Sequence, residues 1–233
     1  MVEELQTENN TITAQRVSSP LKLNAIAPAS EWESATPIRF ASDWQGKNYD
    51  SELKTEVRVL WSPAMLYLRF VCRYRELCVF SESDPNGRRQ QLWERDVVEA
   101  FLQPPELQTN FASRQGNKQV LTGRFYGSYR EFEIAPNGMW IDIDISPAGP
   151  ADLNSGLSRS AHVHSIKKSW TAELAIPMKA LTANFDSNAE WRANFFRVEG
   201  KVEPRTYMAW RPTHTPEADF HVPEAFGLIK FAG

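Results

Sequence analysis

From Thr55 onward the chain is dominated by alternation of apolar and polar residues. In Thr55 to Trp61 (TEVRVLW), Val57, Val59 and Trp61 fall on one face and Glu56 and Arg58 on the other. A period of two residues is that of a half-buried strand. A turn at SPA follows, and Met65 to Tyr74 (MLYLRFVCRY) returns with Leu66, Leu68, Phe70 and Cys72 sharing a face, which predicts a hairpin. The same pattern predicts strands over 96–102, 129–135, 139–145, 161–166, 170–177, 191–200, 206–212 and 226–231. APNG, between two of these, is a turn in which Gly138 can take positive φ. The one helical element predicted is a single turn at 177–181, with Pro177 at its first position.

Many short strands without alternating helices predict an all-β fold: an antiparallel two-sheet β-sandwich, jelly-roll or immunoglobulin-like, with at most one or two helical turns. Residues 1–15 are polar and aperiodic and are predicted to be flexible, and 16–233 read as a single domain. Two polar stretches, 106–123 and 147–159, are predicted to be long loops.

Composition agrees with this reading. The 233 residues include eight Trp, thirteen Phe and six Tyr, and aromatic residues suit strands. The net charge of -3 is spread over mixed signs, with no basic stripe for a nucleic acid. No segment is apolar for long enough to span a membrane as a helix. The stretch MVEELQTENNTITAQ lacks the apolar core of a signal peptide, which fits a cytoplasmic protein or a secreted one whose leader has been removed. Cys72 and Cys78 read as two packed thiols, although a tight 72–78 disulfide is the alternative.

Motifs for common catalytic chemistry are missing: there is no GxSxG, P-loop, HExxH or GxGxxG. Asp96, Glu99, Glu131, Glu133, Asp142 and Asp144 are available as carboxylates, but no pair lies in a catalytic motif, and the chain is read as a non-enzyme. His162 and His164 share a strand face, a spacing that suits zinc or copper but equally two solvated imidazoles. His214, Asp219 and His221 cluster before the last strand, either as a polar site or as a structured loop. Asp142 and Asp144 share a face of WIDIDI and are the candidate calcium ligands.

The segment QLWERDVVEAFLQP carries the strongest hint of a site. It places Trp93 at the mouth of a strand and Glu99 inside it, on a face with Val97 and Phe101. Glu131 and Glu133 point away from Phe132 and Ile134, while Arg197 and Glu199 share a face with Phe195. Combined in one sheet, these strands offer a polar floor beside an aromatic wall, which suits a sugar with an apolar CH face and a rim of hydroxyls. The alternative is that Trp93 folds onto the sandwich and Glu99 pairs with Arg197 as structure.

The ordered runs EWESATPIRF, TEVRVLWSPAMLYLRFVC, LWERDVVEAFLQP, YREFEIAPNG, WTAELAIPMKAL, WRANFFRVEG and MAWRPTHTPEADFHVPEAFGLIKF resemble a family 9 carbohydrate-binding module, of the kind appended to bacterial xylanases. The resemblance spans residues 28–231. It implies a β-sandwich (DOMON-like in a loose sense) and a non-catalytic role in binding a mono- or oligosaccharide, as in xylan or cellulose metabolism. It implies that Trp93 is one of two aromatic plates and Phe220, in place of a second Trp, the other. The floor then falls on Glu99, Glu133 and Arg197, with His221 beside it. Ser62 and Tyr74 stand where the family often has Asp, so the calcium this family can bind lacks those ligands here. Two further readings are a structural or protein-interaction sandwich, and a haem-binding domain using Met65 and His162.

Overall fold

The computed structural model describes residues 10–84, 86–108, 127–201 and 204–233. Among the described residues thirteen strands form one continuous curled sheet. They are β1 (Thr11–Arg16), β2 (Ile38–Phe40), β3 (Thr55–Ser62), β4 (Met65–Arg73), β5 (Val97–Gln103), β6 (Tyr129–Ile134), β7 (Trp140–Ser146), β8 (Gly149–Asp152), β9 (Ser158–His164), β10 (Ser169–Pro177), β11 (Trp191–Glu199), β12 (Thr206–Ala209) and β13 (Gly227–Ala232). An α-helical turn, α1 (Met178–Leu181), follows β10, with Pro177 as its N-cap rather than its first residue.

The order across the sheet is β8-β7-β6-β5-β11-β13-β1-β3-β4-β10-β9, with β12 on β11 and β2 on β3. The sheet folds over so that its two halves share one apolar core. Val57, Val59, Leu68 and Phe70 come from one side; Val98, Ala100, Phe132 and Phe195 come from the other. The all-β, sandwich-like fold expected from alternation is therefore present.

The expectation of purely antiparallel sheets is corrected by β1; of the expected flexible segment 1–15, residues 1–9 lie outside those described and 11–15 belong to this strand. Thr11–Arg16 pairs in parallel with both β13 and β3 and joins the two halves. Ile12 and Ala14 enter the core and the polar residues between them do not, so the strand is stabilised by its neighbours more than by its own composition. Gly227 permits the close approach: a Cβ there would come within 2.6 Å of both the Asn10 carbonyl and the Trp210 ring. β8 lies within the expected loop 147–159. In the expected loop 106–123, residues 109–123 lie outside those described.

Two further apolar clusters cover the outer faces. One, over β3, β4 and β10, contains Leu60, Tyr67 and Trp32. The other covers β5, β6, β7 and β11 and contains Val97, Phe101, Tyr129, Ile141, Phe196 and Phe220. The candidate site lies on the second.

Candidate functional site

Trp93 sits in a short 3-10 turn, Leu92–Glu94, entered through Gln91 at a φ of 57°. Leu92 is buried and anchors the turn, while Trp93 is 39% exposed. The turn is held from several sides. Arg205 Nη1 donates to the Trp93 carbonyl at 2.9 Å. Asp96, just past the turn, accepts from the Cys78 and Gly200 amides at 2.8 and 2.9 Å. The Arg89 and Arg95 guanidinium groups lie 4.1 and 4.7 Å from the Phe80 ring centre and tie in the preceding loop.

The Trp93 ring borders a cleft of about 490 Å³, within the range of small-molecule sites. Its wall includes Ile143, Ile145, Val198, Tyr207, Asp219, Phe220 and His221, and its floor exposes edges of Glu99 and Glu131. Among its described lining residues there is no Lys, Arg, Asn or Gln.

The floor is a set of carboxyls. Glu99 pairs directly across the strands with Glu133, and Phe101 with Glu131, so all three glutamates share the outer face. Glu99, Glu131 and Glu133 are 3%, 4% and 0% exposed. Glu99 Oε1, Glu131 Oε2 and both Glu133 oxygens accept no bond from an N–H or hydroxyl of the described residues. Burial pushes all three carboxyls above the usual range. The neighbouring carboxylates add to this at Glu99 and Glu133. The closeness of the Glu131 and Glu133 carboxyls raises Glu133 further and partly offsets the rise at Glu131. The charge of His221 also lowers Glu131.

A purely structural buried acid is treated differently in the same molecule. Glu173, 0% exposed, pairs with Arg69 and accepts the Asn24 amide at 2.8 Å. Among the described residues no guanidinium or ammonium pairs with the three floor glutamates, so these residues leave buried acceptor capacity unused.

Several expected site residues lie elsewhere. Arg197 pairs across the strands with Val98, whereas Phe196 pairs with Glu99. Arg197 therefore points into the inter-sheet core. There it donates to the Leu53 carbonyl and to Glu199, both at 2.8 Å. It is neither part of the floor nor the partner of Glu99. Glu133 is on the floor's face but lies beneath the cleft surface. Phe220 does line the cleft, yet it is only 8% exposed, and one ring face stacks on Phe196 at 4.2 Å and 13°. His221 joins the wall with its ring stacked on Phe101 and its Nδ1 hydrogen-bonded to the Tyr129 hydroxyl. Asp219 lies beside it and accepts the His221 amide at 2.9 Å. His214 is exposed and belongs to a separate turn, its amide bonded to the Trp44 carbonyl.

The metal and haem readings are also corrected. Asp142 and Asp144 share a face, but Asp142 Oδ2 accepts the Ser155 amide at 2.7 Å and Asp144 pairs with Arg130. Among the described residues no three His, Cys, Asp or Glu side chains converge on one metal position. His162 and His164 do pack together, ring centres 4.5 Å apart, without a third ligand among those residues. Met65 and His162 pair with Pro177 and Thr171 of β10. Six strand residues span roughly 20 Å, too far to share one haem iron. Cys72 and Cys78 are both free thiols.

Glu131, which alternation sets on the outward face with Glu133, joins the floor although the family resemblance did not assign it there. Tyr207 reaches the cleft only because β12 pairs with β11, a relationship that the short run TYMA does not announce.

Comparisons with known proteins agree with the fold. Residues 152–231, about a third of the chain, match carbohydrate-binding family 9. A protein of Bacteroides uniformis superposes with a TM-score of 0.66 at 15% identity, over 95% of this chain and 99% of its own. A family 9 carbohydrate-binding module of Caldicellulosiruptor kristjanssonii in complex with glucose superposes at 0.61 and 14% identity, over 96% of each chain. The module of that organism in complex with cellotriose gives 0.59 at 14% identity, over 96% of this chain and 94% of its own. An extracellular protein of Arthroderma benhamiae is 21% identical over 194 residues, 76% of this chain and 78% of that protein. The fold is that of family 9 modules, and the sequence match to that family covers residues 152–231 of the resemblance read over 28–231. The matched segment carries Tyr207 and the Asp219–His221 wall, while Trp93 and the carboxyl floor lie N-terminal to it.

Proposed function

We propose that this protein is a non-catalytic carbohydrate-binding module that takes a mono- or oligosaccharide, through a chain end, in the cleft beside Trp93. The observation that carries the reading is the pairing of a partly exposed Trp93 with buried carboxyls of which Glu99 Oε1 and Glu131 Oε2 have no donor among the described residues. A pyranose would lay its CH face on Trp93 and turn its hydroxyls toward Glu99 and Glu131. Tyr207 and the little that is exposed of Phe220 border the sugar from the side. One aromatic stack contributes on the order of 1 kcal/mol beyond burial, so one or two rings bind with roughly micromolar to millimolar affinity. The family match and the sugar-bound structural relatives support the class of ligand.

Titration with a panel of soluble sugars and oligosaccharides, followed by Trp fluorescence, tests the reading. A saturable change that disappears in Trp93→Ala is expected. No response to any sugar, with Trp93 emission blue and unquenchable, would reject it. Buried acids with raised pKa values also suit general-acid catalysis. Incubation with the sugars that bind is expected to release no reducing ends, and release abolished by Glu99→Gln would replace the binding module with an enzyme.

A further inference from the structure

The donor and acceptor balance of the cleft is unusual for a site that would hold only neutral hydroxyls. A hydroxyl both donates and accepts, so a neutral sugar is matched by a lining that does both. Here Glu99, Glu131 and Asp219 contribute carboxyls, with Glu133 directly behind Glu99. Against them stand the Trp93 indole N–H, the Ser146 and Tyr207 hydroxyls and the His221 ring, whose Nδ1 is already engaged with Tyr129. No Lys or Arg is among the described lining residues. Glu99 Oε1 and Glu131 Oε2, on side chains more than nine-tenths buried, have no donor from those residues.

A group with several donors, no acceptor and a positive charge complements this floor, and an ammonium is that group. A bare metal ion is a poorer match, because no three acidic or imidazole side chains among the described residues converge on one point. An aromatic plate beside the carboxyls suits either the CH face of a sugar ring or the cation itself.

We propose that the preferred ligand is an amino sugar with a free amine, a glucosamine-type residue whose ammonium sits between Glu99 and Glu131 while its ring lies on Trp93. This rests on the sugar-binding reading above and goes beyond it by assigning the charge of the ligand. N-acetylation would remove the charge and two of the three donors, leaving the floor carboxyls unmatched. Binding the ammonium favours the ionised floor. Burial raises these acids and a bound ammonium acts against that rise, so complex formation is expected to release protons.

The test is calorimetric titration with glucosamine and its β-1,4-linked dimer, set against glucose, cellobiose, N-acetylglucosamine and cyclohexylammonium, repeated in two buffers of different ionisation enthalpy. The amine-bearing sugars are expected to bind at least about tenfold tighter than their neutral counterparts, with protons released. In Glu131→Gln the ratio of glucosamine to glucose affinity is expected to fall toward one. Equal or tighter binding of the neutral sugars would overturn the amino-sugar assignment and leave the sugar-binding module standing. Cyclohexylammonium binding as tightly as glucosamine would overturn it too, since the sugar ring would then contribute nothing. If no sugar of either kind binds, the module reading itself fails and the assignment with it.

Discussion

Glu99 and Glu133 face each other as a directly paired couple across β5 and β6, both buried, with no guanidinium or ammonium of the described residues beside them. Each therefore holds its proton to a higher pH than a solvated glutamate, mainly through burial. Above roughly pH 4.3 the unfolded chain releases these protons while the folded protein keeps them. The unfolded state then binds fewer protons, so stability falls as pH rises through the raised values. Asp96, Glu131 and Glu199 are raised by burial and act in the same direction; the nearby His221 charge partly offsets the effect at Glu131. The melting temperature of the free protein is expected to drop as the pH rises above about 4.3. Glu133→Gln should flatten that slope and stabilise the protein at neutral pH by on the order of 1–3 kcal/mol. A steeper slope in the variant would contradict this account.

Arg197 is expected to matter for folding and not for ligand. It is fully buried and holds Glu199, itself 5% exposed. Arg197→Ala leaves that carboxylate unpaired and should cost about 3–5 kcal/mol in denaturant unfolding. Sugar affinity of the folded fraction should stay at the wild-type value. A selective loss of affinity at unchanged stability would return Arg197 to the site.

Trp93 has the opposite profile. Its side chain is partly exposed, while its turn is held by the backbone contact from Arg205 and by Asp96. Trp93→Ala should change stability by no more than about 0.5 kcal/mol. Ligand affinity should fall by about tenfold or more. Parallel melting and titration experiments separate the two effects.

Phe220 stands between these cases, because its flat stack on Phe196 makes it part of the outer cluster as well as of the wall. Phe220→Ala should destabilise the protein by about 3–5 kcal/mol, far more than Trp93→Ala. Phe220→Leu, which keeps much of the buried volume, should recover most of that stability. A variant Phe220→Ala as stable as the wild type would show that the stack is not part of the packing.

The two thiols should differ in reactivity. Burial pushes the Cys72 thiol up to about 11, partly opposed by Arg197 and by a hydrogen bond with Thr55. At about pH 8 Cys72 is protonated and inaccessible, so iodoacetamide should label Cys78 alone in the native protein and both after unfolding. Native labelling of Cys72 would show that the core opens readily.

Alternation alone determined much of this protein, because successive side chains on a strand must take opposite faces. It assigned most of the strands, the facing of Glu99 with Phe101, that of Arg197 with Phe195, and the outward set Glu131 and Glu133. Which of these faces coincide was decided by tertiary structure. Cross-strand register put Phe196 opposite Glu99 and sent Arg197 into the core, and a slip of one residue would have reversed that outcome. Long-range pairing likewise made a strand of the polar run Thr11–Arg16, since β13 and β3 satisfy its backbone from both sides. The same holds for the site: Trp93, Glu131, Tyr207 and His221 are distant in sequence and are joined by packing. Local pattern specifies a face; only the assembled sheet specifies what stands across from it.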